Sequence, residues 1–130
     1  MENLEKHFVE RREWPRAALD ALVEQVVIRL PANSAEPGPS VEIVNLSEAG
    51  AGILLPAPIE RGVRVTLELT GKEFARLGFQ AEIRWIGNVP VSTGQYPAGL
   101  KFTNLDDQRR VQLKDFIYTL RKFSPHGKVS

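Results

Sequence analysis

The sequence predicts an all-β core, a small barrel of six antiparallel strands, followed by one C-terminal α-helix. Three observations predict this fold. Six short segments rich in Val, Ile and Leu recur along the chain, and several alternate apolar with polar side chains. No helical pattern separates consecutive segments, although parallel strands would need such crossovers. The last part of the chain instead spaces its apolar residues at three and four, which is typical of an amphipathic helix.

The six predicted strands end at prolines, glycines or polar turns. They span residues 22–30, 41–46, 52–55, 63–69, 79–86 and 98–103. The fourth strand alternates strictly between apolar and polar residues, so one of its faces should be buried and the other exposed to solvent. Two loops rich in proline and glycine, 31–40 and 87–97, follow the first strand and precede the last. The other predicted connections are short turns, and strands joined by short turns favour an antiparallel sheet closed into a small barrel.

The predicted helix spans residues 105–123. Its apolar stripe needs a surface on the barrel and comprises Leu113, Phe116, Ile117 and Leu120. Thr103 or Asn104 is expected to cap the first turn, because short polar side chains accept hydrogen bonds from free helix amides. Asp106 and Asp107 suit the positive end of the helix dipole.

Length and composition are those of one ordinary globular domain. The chain has 130 residues, of which 42% are hydrophobic and 25% charged, and it has no cysteine. Disulfides, thiolate metal sites and cysteine nucleophiles are therefore excluded. A net charge of +1 argues against nucleic-acid binding, because domains that bind nucleic acid are usually strongly basic. A small barrel that binds single-stranded nucleic acid stays open as an alternative. No long apolar run and no signal-peptide pattern is found, so we expect a cytoplasmic protein without membrane insertion.

The sequence gives no sign of enzymatic chemistry. Its two histidines, His7 and His126, lie near the ends of the chain, where a rigidly placed general base is not expected. Phosphate-binding glycine loops and metalloprotease motifs are missing as well. We therefore predict a protein that is not an enzyme, with no catalytic residue, no metal and no cofactor.

An arginine-rich segment lies close to the N-terminus. Arg12 and Arg16 form an RxxxR pattern, Arg11 precedes it, and Trp14-Pro15 interrupts it. Because the proline disfavours a helix here, both guanidinium groups should project from a loop. Guanidinium binds phosphate or the O6 and N7 edge of guanine through two parallel hydrogen bonds. The alternative is a solvated basic arm that pairs with neighbouring glutamates.

A second pattern, NxSxxG, lies at the end of the second predicted strand. Asn45 and Ser47 are two residues apart, so in extended chain their side chains share one side while Leu46 points to the core. Gly50 allows positive φ or a close backbone approach. The alternative is a plain turn, since Asn, Ser and Gly are ordinary turn residues.

The order of these motifs resembles the PilZ domain. RRxxxR comes first, then NxSxxG, then a strand that ends in Ile83-Arg84-Trp85, then Gly99-Leu100-Lys101-Phe102, and finally a helix. The resemblance covers about residues 11–120. It implies a six-stranded antiparallel PilZ-type barrel and, as in many members, a receptor for the bacterial second messenger cyclic di-GMP. The domain would span 11–123, between a flexible arm at 1–10 and a tail at 124–130.

The resemblance also implies which residues bind. Arg12 and Arg16 match the arginines that contact guanine and phosphate, and Arg11 matches a preceding basic position. Asn45, Ser47 and Gly50 match the second motif, with Asn in place of the commoner Asp.

Other positions are given secondary roles. Trp14 could stack on a base, Gly99 is interpreted as structural first and as a secondary ligand residue, and Trp85 as part of the barrel core. Binding would order the arginine loop over the barrel and signal to an unidentified protein partner. The alternative is a PilZ-fold interaction module that binds no nucleotide.

Overall fold

The computed structural model describes residues 22–72 and 76–123, and these form one antiparallel sheet and one helix. The sheet order is β1-β4-β5-β6-β3-β2, and every neighbouring pair is antiparallel. The elements are β1 Val23–Arg29, β2 Glu42–Leu46, β3 Gly50–Leu55, β4 Arg64–Gly71, β5 Leu77–Ile86, β6 Tyr96–Phe102 and α1 Asp107–Phe123. The predicted fold class is confirmed. The arm at 1–10, the arginine-rich segment and the tail at 124–130 lie outside the described residues.

The sheet curls into a half-barrel whose two edge strands meet through the segment that precedes β2. Ile28 N donates to the carbonyl oxygen of Pro39 at 3.1 Å, and Val41 N donates to that of Val26 at 3.0 Å. An isolated antiparallel bridge joins Val27 to Ser40 at the same place. These bonds satisfy part of the exposed edge of β1, which would otherwise present unpaired backbone groups.

The hydrophobic core lies on the inner face of the curled sheet and beneath α1. The predicted helical stripe is part of it, with Leu113 and Leu120 fully buried. The rings of Phe79 and Phe102 pack at a centroid distance of 5.5 Å within the same core. Among the described residues, no helix is long and apolar enough to cross a membrane.

The helix begins two residues later than predicted, and its cap is a different residue. Asp106 Oδ1 accepts a hydrogen bond from Arg109 N at 2.8 Å, and the Asp106 carbonyl accepts one from Arg110 N at 2.9 Å. This is the geometry of an N-cap, so neither Thr103 nor Asn104 has the predicted role. Asn104 instead adopts a positive φ of 60°, which turns the chain from β6 towards the helix.

The strand boundaries lie within two residues of the predicted ones, and β2, β3 and β5 end where predicted. β3 begins at Gly50 because Gly50 and Ala51 already pair with Lys101 and Leu100 of β6. β6 begins inside the predicted loop, because Tyr96 pairs with Leu55 at the far end of β3. Hydrogen-bond partners on the neighbouring strand, rather than local composition, set these ends.

Candidate functional site

The NxSxxG segment forms the tight hairpin between β2 and β3. Ser47 N donates to the carbonyl oxygen of Gly50 at 2.9 Å and so closes the turn. Ser47 Oγ lies 3.2 Å from Ala49 N and 3.3 Å from Gly50 N, and accepts from both amides. Phe102 N donates to the Ala49 carbonyl at 2.9 Å, which braces the turn against β6. The hairpin is therefore held on a rigid part of the sheet.

Asn45 is half-buried at the end of β2 and is bonded to the adjacent strand through one side-chain atom. Its Oδ1 accepts a hydrogen bond from Gly52 N at 3.0 Å. Its Nδ2 makes no hydrogen bond to any residue that the structure describes. Leu46 is 1% exposed and belongs to the core, as predicted, whereas Ser47 lies just beyond the strand and is exposed. Asn45 thus offers a free N–H₂ donor at the surface of the sheet.

Gly50 is required by a close backbone approach and not by a positive φ. A Cβ at Gly50 would lie far inside van der Waals contact with the Leu100 carbonyl oxygen. The described glycines with positive φ are Gly62 and Gly94. Of the two possibilities that the sequence left open, the close approach is the one observed. A role for Gly50 in ligand binding stays a prediction.

A row made of one asparagine, two glycines and one tryptophan crosses four strands on the outer face, the face of the sheet opposite the core. Asn45 pairs with Gly52, Gly52 with Gly99, and Gly99 with Trp85. A Cβ at Gly99 would collide with the Trp85 indole, so Gly99 has the predicted structural role. Sequence reasoning missed Gly52, although a glycine inside a strand commonly marks a close approach.

Trp85 is not part of the barrel core, contrary to the interpretation from sequence. It packs against a smaller outer-face cluster that contains Val44 and Leu54. The register of β5 shifts between Ile83 and Trp85, which is a β-bulge. One inserted residue reverses the side to which the following side chains point. Trp85 therefore faces outward although it is two residues from the buried Ile83.

The next row on the outer face is charged. Gly50 pairs with Lys101, Lys101 with Glu82, and Glu82 with Arg64. Lys101 therefore places a positive charge on the strand beside the hairpin, a second feature that sequence reasoning did not find.

Among the described residues, no group of three or more His, Cys, Asp or Glu could hold a metal ion.

Arg11, Arg12, Arg16 and Trp14 lie outside the described residues. Their convergence with the NxSxxG hairpin stays a prediction.

Comparison with known families identifies the domain. The half-barrel, the C-terminal helix and the hairpin place the chain in the class of small β-barrel domains. The family model for the PilZ domain matches residues 10–119. The chain therefore belongs to the PilZ family. No curated protein matches the chain.

Two solved structures have the same fold. The PilZ domain of YcgR from Escherichia coli, solved with c-di-GMP, has a TM-score of 0.59 at 19% identity, over 75% of this chain and 82% of that one. The inhibitor of motility MotI/DgrA from Bacillus subtilis has a TM-score of 0.55 at 19% identity. That alignment covers 76% of this chain and 46% of MotI, so the chain corresponds to about half of that protein.

Proposed function

We propose that this chain is a receptor for cyclic di-GMP, which binds between the arginine-rich segment and the NxSxxG hairpin. The observation that carries the proposal is the hairpin itself, which is complete and rigid and leaves Nδ2 of Asn45 without a described partner. The structural likeness to a PilZ domain solved with c-di-GMP adds support. The other half of the site, Arg12 and Arg16, belongs to the same family match.

The hydrogen bonds of Asn45 define what it would contact. Because Oδ1 accepts from Gly52 N, the outward-facing group is a donor. It would bind an acceptor of the ligand, either O6 or N7 of guanine or a phosphate oxygen. Lys101 on β6, paired with Gly50 of the hairpin, adds charge that suits the phosphates.

The arginines would supply the remaining contacts. Arg12 and Arg16, preceded by Arg11, offer planar donors with permanent charge for guanine and phosphate. Trp14 could stack on a base. Since the hairpin is fixed, the ligand would order the arginine loop over the barrel and change the surface that a protein partner contacts. In this proposal the receptor acts in the bacterial cytoplasm, without catalysis or a cofactor.

Calorimetric titration of the full chain with cyclic di-GMP tests this proposal, and native mass spectrometry gives the number of ligands bound. We expect saturable binding. Asn45→Ala should weaken it about two- to tenfold, as for the loss of one neutral hydrogen bond. The control is Asn33→Ala, because Asn33 is an exposed asparagine in the loop after β1.

Absence of binding at about tens of micromolar protein would contradict the receptor function. The chain would then be an interaction module of the PilZ fold. Capture of a protein partner with equal efficiency in the presence and absence of nucleotide would support that alternative.

A further inference from the structure

Three arginines on the outer face have no partner in the described part of the chain. The described residues include eight arginines. Five of them are engaged in a hydrogen bond, an ion pair or another contact: Arg29, Arg76, Arg109, Arg110 and Arg121. The other three, Arg61, Arg64 and Arg84, are exposed and make no hydrogen bond or ion pair with any described residue. Among the described arginines, only these three therefore lack a partner.

Two of these three arginines line a single depression, and the third lies on the strand beside it. Its lining includes Arg61 and Arg84 together with Gly62, Glu82 and Ile83. Arg64 borders it, because Arg64 is the direct cross-strand partner of Glu82. Cross-strand partners have their Cβ atoms about 5 Å apart, so Arg64 lies on the strand beside the depression, outside its lining.

The depression is built on rigid backbone. Gly62 N donates to the Ile83 carbonyl at 2.7 Å, and Ile83 N donates to the Val63 carbonyl at 2.9 Å. These bonds fix the turn that carries Arg61 against β5. Gly62 has a φ of 90°, and nothing lies within 4 Å of the position that a Cβ would take. The glycine therefore permits the turn and leaves space above it.

Two unpaired arginines that line one depression, with a third on the neighbouring strand, favour an anion. Like charges held close together repel one another, and an anion relieves that repulsion. Guanidinium has the planar fork of donors that matches phosphate oxygens. Glu82 is half-buried in the same depression and opposes a bare anion, but its carboxylate accepts hydrogen bonds from hydroxyl or N–H groups. The arginines together with the Glu82 carboxylate suit a ligand that carries both a phosphate group and hydrogen-bond donors.

We propose that this depression is a second binding site, for the phosphate group of a small phosphorylated ligand that also carries hydroxyl donors, such as a sugar phosphate. Glu82 would accept from the hydroxyl groups while Arg61 and Arg84 bind the phosphate, with the charge of Arg64 beside them. The site lies on β4 and β5, whereas the hairpin begins β3. Two strand spacings, about 10 Å, separate β3 from β5, and Lys101 of β6, which pairs with Glu82, lies between the two sites. The inference does not depend on the receptor function proposed above.

Titration of the full ¹⁵N-labelled chain with ribose 5-phosphate and with inorganic phosphate, followed by NMR, tests the second site. We expect saturable shifts at the amides of Gly62 and Arg84, with tighter binding of the sugar phosphate. Arg61→Ala and Arg84→Ala should each weaken binding about three- to tenfold, as expected for an exposed charge-assisted hydrogen bond. Glu82→Gln should strengthen binding of inorganic phosphate and reduce the advantage of the sugar phosphate.

Arg110→Ala is the matched control, because Arg110 is an equally exposed arginine that is bonded to the Leu105 carbonyl. It should leave both affinities unchanged. Equal effects of Arg110→Ala and Arg84→Ala would reduce the binding to general charge attraction and overturn the site. Shifts confined to the NxSxxG hairpin, or competition between cyclic di-GMP and ribose 5-phosphate, would overturn its separateness. Absence of cyclic di-GMP binding would leave this result unaffected and would count against the proposed function alone.

Discussion

Replacing Gly50 by alanine should lower the free energy of unfolding by about 1–3 kcal/mol, the cost of overpacking a rigid site. The added methyl group would meet the Leu100 carbonyl oxygen, which belongs to the backbone of β6 and is itself fixed in the sheet. Relief therefore requires β3 and β6 to move apart at the hairpin. Urea denaturation followed by circular dichroism measures the loss.

Gly94→Ala is the control for this prediction. Gly94 has a φ of 86° in an exposed loop, and a Cβ there would have nothing within 4 Å. Its substitution should cost about 1 kcal/mol, from backbone conformation alone. A Gly50→Ala variant as stable as the wild type would show that the close approach of β3 and β6 is not a constraint on the fold.

Truncation of either motif arginine should have the largest effect on ligand binding. Arg12→Ala and Arg16→Ala are each expected to weaken cyclic di-GMP binding by about 1–3 kcal/mol, which is roughly fivefold to 150-fold. The reason is the loss of two parallel charge-assisted hydrogen bonds. Arg16→Lys should recover only part of the affinity, because lysine keeps the charge and lacks the planar fork. Calorimetry on the full chain measures each difference.

The comparison for these variants is Arg110→Ala, which removes the same charge from the helix and should not alter the affinity. Unchanged affinity of Arg16→Ala would remove Arg16 from the site. Equal losses in Arg16→Ala and Arg110→Ala would point to net charge rather than to a specific contact.

Most of the fold could be predicted because β4 and the helix keep a simple period along their whole length. The alternation in 63–69 and the spacing from Leu113 to Leu120 come directly from which side chains face the core. The ends of elements were less accurate, because pairing decides them. Asp106 caps the helix in place of Thr103 or Asn104 since it is the residue immediately before the first turn.

The face on which Trp85 lies could not be predicted from the period of the strand. An unbroken alternation places Trp85 on the side of Ile83, in the core. The bulge in β5 reverses that assignment, and a bulge depends on how β5 pairs with β6. A similar register shift lies between Ile43 and Asn45 in β2. Both irregularities occur next to the candidate site, where they turn Asn45 and Trp85 towards the outer face.

The candidate site was predicted only in part, because Asn, Ser and Gly serve equally well to form a turn and to bind a ligand. The bonds of Ser47 within the hairpin are those of a plain turn, and the close approach at Gly50 is structural. The same arrangement holds Asn45 beside Gly52 with its donor outward. The motif letters alone cannot separate a turn that only folds from a turn that also binds.

A distance measured by spin labels tests the central claim, that the ligand joins the arginine-rich segment to the fixed hairpin. The chain has no cysteine, so Glu10→Cys and Lys114→Cys can be labelled specifically. Lys114 is exposed on α1 and gives a fixed reference. With cyclic di-GMP at a concentration that just saturates the wild-type chain, pulsed electron paramagnetic resonance should show a narrower distribution of distances between the two labels. At the same concentration, Arg16→Ala should reduce this change. An identical distribution with and without bound ligand would contradict the account.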